Sequence, residues 1–391
     1  MSVVVPVNPK VIRWARESVG VSPWDAAARI TETSTLIRAW EDGSAQPTVG
    51  PLRELSEFYR RPLAAFLLKT LPKDPPDPAD FRVMKGGSRH SLTRQTRQAL
   101  NRAFELRALA ADLERHEPGP RTSGRRVLDD ERTPFHVAAA ETRKALGIGI
   151  EEQRGWSSVN KALNAWRRAL ERRGILVFAM TMPKTEVRGF SISGPGGPPA
   201  IVLNTADTEP GRIFTLFHEY CHVLMGTGGI CLPSTAIERH SLQGRELYCN
   251  RFAGAVLVPE EVLSAMPEAL KLGTSAETPT DAQIGAVAGV FNVSKQVLWY
   301  RLRDTGLIST QRFAAKWPLW HHQKTQVRPK RKGGPKAPVR VLSSRGLRFT
   351  SLVLDANHEQ LITTNETLDY LAIQLGDLEA VEQEARRRAV G

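Results

Sequence analysis

Apolar residues recur at helical spacing along most of this chain, and only a central stretch switches to the short continuous apolar runs of buried strands. From Asn8 to Leu68 five segments, NPKVIRWARESVG, SPWDAAARI, TSTLIRAWEDG, VGPLRELSEFY and RPLAAFLL, place Ile12, Ala15, Ala27, Ile30, Ile37, Trp40, Leu52, Leu55 and Phe66 on apolar faces. Gly20, Gly43, Pro47 and Pro62 stand where helices stop or start, so residues 1–70 predict a compact all-helical module. Residues 71–133 predict a Pro-rich extended linker, LPKDPPDPADFR, then a long Arg-rich helix from Arg89 to Glu117, because each Pro removes an amide donor and disfavours helix before it. The basic face of that helix is either solvated or set against nucleic acid.

Pro134 to Ala179 predicts two helices and the strand GILVFAM, and VRGFSI and PAIVLNT predict two more strands split by the turn-rich SGPGGPP. Helices follow around Gly211 to Met225 and Leu242 to Val258. A helix-turn-helix-like stretch, DAQIGAVAGVFNVSKQVLWYRLRDTGLIS over 281–309, closes a domain spanning 134–310. KTQVRPKRKGGPKAPVR holds seven basic residues and no acid, so 311–345 predicts a basic flexible linker ahead of a small helical region at 346–391. The fold class expected is mainly α with a small β-sheet, α+β.

At 391 residues the chain exceeds one ordinary core. Its 41 % hydrophobic and 24 % charged residues argue against wholesale disorder. A net charge of +13 favours a polyanionic partner, with solubility as the plainer reading. Only Cys221, Cys231 and Cys249 occur, an odd number unlike a disulfide framework. With no export signal and no apolar run of about 18 residues, a cytoplasmic protein that crosses no membrane is expected.

HEYCH, His218 to His222, is the sharpest chemical signal. Residues four apart share a helix face, so both imidazoles can meet one ion with Glu219 beside them as general base. A catalytic zinc site usually takes three protein ligands and leaves a position for water. Glu246 in ELYCNRFAGAVLVP is the leading third ligand, on one helix face with Asn250 and Ala253, and His240 is the alternative. Cys221, Cys231 and Cys249 read as core residues.

RGFSI, PAIVLNT, GRIFTLFHEYCHVLM, ELYCNRFAGAVLVP and FNVSKQVLWYRLRDTGLIS, in that order, resemble the ImmA/IrrE family of metallopeptidases over roughly Pro134 to Ser309. The resemblance implies a zincin-like domain with Zn2+ held by His218, His222 and Glu246, and Glu219 as catalytic base. It also implies a protein substrate, a helix-turn-helix repressor or antitoxin, and a bracing or substrate-recognising role for 281–309. IRAWEDGSAQP and its flanking helices resemble the XRE (Cro/C1-type) helix-turn-helix family. That resemblance implies DNA contacts from Thr33, Ser34, Thr35 and Arg38 at the start of a recognition helix, with Trp40 and Glu41 structural. Two functions follow: a regulatory zinc endopeptidase fused to a DNA-binding module, or an XRE-type regulator whose metal domain acts mainly as a sensor.

Overall fold

The computed structural model describes residues 4–59, 61, 63–71, 92–116, 132–227, 230–231, 244–274, 279–321 and 334–390. Most of the Pro-rich run, the loop after the Arg-rich helix, His240 and the middle of the basic run lie outside the described residues. The chain is mainly helical with one small sheet. It divides into two compact units, the boundary falling between Phe104 and Glu105, inside the long helix.

In the first unit, α1 (Pro9–Ser18), α2 (Pro23–Arg29), α3 (Ser34–Asp42) and α4 (Val49–Tyr59) surround Ile12, Ala15, Ala27, Ile37, Trp40, Leu52, Leu55 and Phe66. Local chemistry sets the helix limits. Asn8, Ser22 and Thr33 cap three helices by accepting amide hydrogens, and Gly43 ends α3 at a φ of 86°, a left-handed conformation that costs glycine little. Leu63–Leu67, expected to be helical, forms a 3-10 turn. Glu41 is buried and receives two hydrogen bonds from the Arg16 guanidinium, at 2.5 and 2.8 Å. A paired buried carboxylate of this kind holds α1 against α3, a structural task.

The long helix α5 (Arg94–Leu113) uses its arginines differently from either expectation. Within the first unit Arg94 donates to the Phe58 carbonyl at 3.0 Å and Arg97 to that of Gly20 at 3.4 Å. Within the second, Arg107 donates to Pro198 and Gly194 carbonyls at 2.8 and 2.6 Å. These guanidinium groups satisfy a carbonyl at the end of α4 and carbonyls in loops, and so act in packing.

The second unit begins with α6 (Phe135–Leu146), α7 (Ile150–Gly155) and α8 (Val159–Arg172), one helix more than the pattern predicts. Strands β1 (Leu176–Met180), β2 (Gly189–Ile192), β3 (Ala200–Asn204) and the two-residue β4 (Ile230–Cys231) pair in the order β1-β3-β2-β4. β1 runs parallel to β3, while β2 is antiparallel to both β3 and β4. Both faces are covered, which explains the unbroken apolar runs LVFAM and AIVLN. Helix α9 (Glu209–Leu224) lies against the sheet and α10 (Gly244–Leu257) packs on α9 and α6. Trp166 centres this core, edge-on to Trp156 at 5.3 Å and to Phe217 at 4.9 Å.

Short helices α11 (Glu260–Ser264) and α12 (Pro267–Thr274) lead to α13 (Asp281–Val290) and α14 (Lys295–Asp304). Both described ends of the expected linker 311–345 are helical, as α15 (Thr310–His321) and α16 (Ala337–Arg345). Phe313, Val341 and Leu342 are buried, and Lys316 donates to the Pro279 carbonyl at 2.7 Å, so apolar anchoring outweighs the basic composition there. Helices α17 (Leu347–His358), α18 (Thr364–Leu371) and α19 (Leu378–Val390) complete the chain. This region is fastened to α8 and β1: buried Arg167 bridges the Ser343 and Val177 carbonyls, and Glu171 accepts the Leu347 amide at 3.0 Å. Among the described residues no helix is long and apolar enough to cross a membrane.

Candidate metal centre

Helix α9 starts at a cap in which the Thr208 hydroxyl accepts the Gly211 amide hydrogen at 3.2 Å, with Pro210 in its first turn. Ile213, Leu216, Phe217 and Val223 bury one side of it in the core, and that rotation turns His218 and His222 toward α10. Both imidazoles and Glu219 are fully buried. Glu246, on the first turn of α10, reaches them: its two oxygens stand 3.3 Å from His218 Nε2 and 3.1 Å from His222 Nε2, and the two nitrogens are 3.2 Å apart.

These separations fit a small divalent cation. Bonds of about 2.05 Å in a tetrahedron place donors roughly 3.3 Å apart, and the two imidazole nitrogens, 3.2 Å from each other and each 3.1–3.3 Å from one of the Glu246 oxygens, are close to that edge length. Two imidazoles and one carboxylate also form the mixed nitrogen and oxygen set that a borderline cation takes. The Glu246 side chain keeps 26 % of its surface exposed, so solvent approaches from that side. His218, His222 and Glu246 are therefore a group able to hold a metal ion.

The buried groups of the cluster shift one another's protonation. Burial opposes a proton on His222, yet contacts with Cys249 and Glu246 outweigh it and keep the imidazole well above its ordinary value. Burial pushes Glu246 up, but the two histidines pull its carboxyl well below the usual carboxylate range. Glu219 is pushed up by burial despite the lowering influence of both histidines and Ser191. A cation would displace the proton from the His222–Glu246 pair.

Sequence reasoning missed several supporting residues. The Asn250 Oδ1 lies 3.0 Å from His218 Nδ1, which makes His218 the donor and leaves its Nε2 facing the cluster. Asn250 follows Glu246 by four residues, so one face of α10 supplies both a candidate ligand and an orienting group. The Cys249 thiol meets His222 and Cys221 and burial pushes it up; both cysteines are buried, as expected of core residues. Ser191 donates to Glu219 Oε2 at 2.7 Å.

The far end of α10 is secured by three separate elements. Arg143 of α6 donates to the Val256 carbonyl at 2.8 Å, Gln153 of α7 to Leu257 at 2.9 Å, and Arg301 of α14 to Val258 at 3.1 Å. Gly254 makes room for Arg301, since a Cβ there would lie 2.9 Å from its Cδ. The helix-turn-helix-like stretch thus braces the helix that carries Glu246. In the first unit, Thr33 caps α3, Ser34 is half-buried, and Thr35 and Arg38 are exposed on that helix.

Residues 170–303 match the family model of the IrrE N-terminal-like domain, Peptidase_M78. The match covers about a third of the chain, includes all four residues of the HExxH-plus-Glu constellation and supports a metallopeptidase-type domain. The N-terminal helices fall outside it. No curated protein and no solved structure matches the chain.

Replacing Asn250 with alanine frees the His218 ring to rotate and removes a support of its basicity. Metal affinity is expected to fall about 10- to 100-fold, as for other outer partners of a ligating histidine. Competition against a colorimetric chelator measures it; an unchanged affinity would show that packing alone orients the ring.

Proposed function

We propose that the chain is a zinc-dependent endopeptidase that cleaves a partner protein, with His218, His222 and Glu246 holding the ion and Glu219 as general base. The observation that supports it most is the cluster of two buried imidazoles and the Glu246 carboxylate beside a second carboxylate whose Oε1 has no hydrogen-bond partner among the described residues. A bound zinc supplies a Lewis acid and brings the pKa of a coordinated water to about 7. Glu219, raised by burial above its ordinary value, takes a proton from water and returns it to the leaving amine. Ser191 holds that carboxylate while Asn250 orients His218. The substrate proposed is a helix-turn-helix repressor or antitoxin, following the sequence resemblance.

Co-incubation with helix-turn-helix proteins encoded near this chain's own gene tests the metal requirement. A cleaved fragment, read by intact mass, should vanish with a chelator and return with a stoichiometric amount of zinc. Cleavage that continues in excess chelator would refute the zinc assignment.

The second reading, DNA binding by the first unit, is favoured by exposed Thr35 and Arg38 at the start of α3. The excess positive charge lies elsewhere: residues 34–42 contain Arg38 against Glu41 and Asp42. Affinity must then rest on local contacts and on capped helix starts. Arg38→Ala should weaken operator binding by about 1–3 kcal/mol, measured by fluorescence anisotropy at fixed salt. Equal binding by the variant would remove this helix from the interface.

A further inference from the structure

Building on the peptidase reading, we infer that Ser191 is a positioning residue: its hydroxyl fixes one oxygen of Glu219 and leaves the other as the proton acceptor. Residues two apart share a strand face and residues four apart share a helix face. Gly189 and Ser191 therefore form one face of β2, and Thr215 and Glu219 one face of α9. The two faces meet in matching pairs. At the first, a Cβ on residue 189 would lie 2.5 Å from Thr215 Cγ2 and 2.7 Å from the Val202 carbonyl oxygen, so only glycine lets the strand approach so closely. At the second, that approach brings the Ser191 hydroxyl to 2.7 Å from Glu219 Oε2.

The strand is itself held in register, Gly189 opposite Leu203 and Ser191 opposite Ile201, so the donor has a fixed position. Ser191 and Glu219 are both fully buried, so Oε2 takes its hydrogen bond from the serine hydroxyl away from bulk solvent. Glu219 is left asymmetric. Oε2 accepts from Ser191, while Oε1 is buried with no partner among the described residues. A buried acceptor without a donor is costly, so Oε1 is the oxygen that gains most from a donor brought into the site. A general base needs this arrangement: one oxygen immobilised and the other free to accept a proton within hydrogen-bond reach.

A purely structural serine would make the same contact, so the test needs a readout that stability alone does not move. Acetohydroxamic acid serves as probe, because a hydroxamate bound to a catalytic zinc delivers its hydroxyl proton to the base carboxylate. Its affinity is measured by calorimetry on the zinc-loaded full-length chain, with zinc content and thermal stability recorded for each variant. Ser191→Ala should retain zinc and bind the probe about tenfold more weakly, the lower end of effects seen for outer-shell partners. Ser191→Thr, which restores the hydroxyl, should recover most of that loss.

Wild-type affinity in Ser191→Ala would overturn the positioning role, even if that variant were less stable. If it fails to fold, Ser191→Cys replaces it, having similar size and a poor donor, with the same expected loss. Glu219→Gln separates the two levels of the argument: its loss of probe affinity alongside an unaffected Ser191→Ala sinks only the serine. Should Glu219→Gln also bind normally, or the wild-type protein not bind at all, the peptidase reading itself fails.

Discussion

Replacing His222 with alanine should lower the zinc content of the purified chain from about one ion to near none after dialysis. His222 Nε2 stands at the meeting point of the cluster, 3.2 Å from His218 Nε2 and 3.1 Å from Glu246 Oε1. Losing a direct ligand exceeds the roughly 10- to 100-fold effect of losing an outer partner, so retention through dialysis is not expected. Stability supplies a second measurement. A ligand present at about 1,000 times its dissociation constant stabilises the folded state by about 4 kcal/mol, a melting shift on the order of 10 °C for a domain of this size. Zinc should raise the melting temperature of the wild type by that order and leave His222→Ala unmoved. Because burial of the ring makes the variant intrinsically less stable, the comparison is of zinc-dependent shifts, not absolute melting points.

The sign of the pH dependence follows from the same geometry. In the metal-free protein the His222 imidazole is held well above its ordinary value, and zinc binds only its neutral form. Zinc affinity should therefore fall as pH falls through that raised value, with proton release on binding. A full complement of tightly held zinc in His222→Ala would place the metal elsewhere.

How much of this site is legible in the sequence depends on how local each signal is. HEYCH declares itself because its two imidazoles are one helical turn apart, and Glu246 follows from an amphipathic helix able to pack beside the first. Strands LVFAM and AIVLN are legible from uninterrupted apolar runs, and FSI from its place between turn signals. By contrast β4 has two residues, and α7 and α11 have six and five, too short for any period to emerge. Arg107, Arg143 and Arg301 look like surface charge in sequence. Their carbonyl partners lie far away along the chain, and no local pattern announces a long-range bond. Ser191 is the instructive intermediate: the alternation Gly189, Ser191 is visible, but its pairing with Thr215 and Glu219 exists only once strand and helix meet.

Glu219→Gln should separate metal binding from chemistry. The side chain does not belong to the three-donor cluster, so the variant should keep about one zinc per chain. Its amide oxygen can still accept from Ser191, preserving the contact now made by Oε2 at 2.7 Å. What disappears is a group able to take a proton, and general-base catalysis is worth about 10²- to 10⁴-fold. Because the carboxylate is fully buried and raised by desolvation, neutralising it should leave thermal stability unchanged or somewhat higher. That combination of intact zinc, equal or greater stability and lost cleavage distinguishes a catalytic base from a structural acid. Protein N-termini profiled in cells carrying either form provide the readout whatever the substrate is: those generated by the wild type should be missing with Glu219→Gln. If the same new termini accumulate at the same rate with both forms, Glu219 is not the base, and the proton must pass through another group at the cluster.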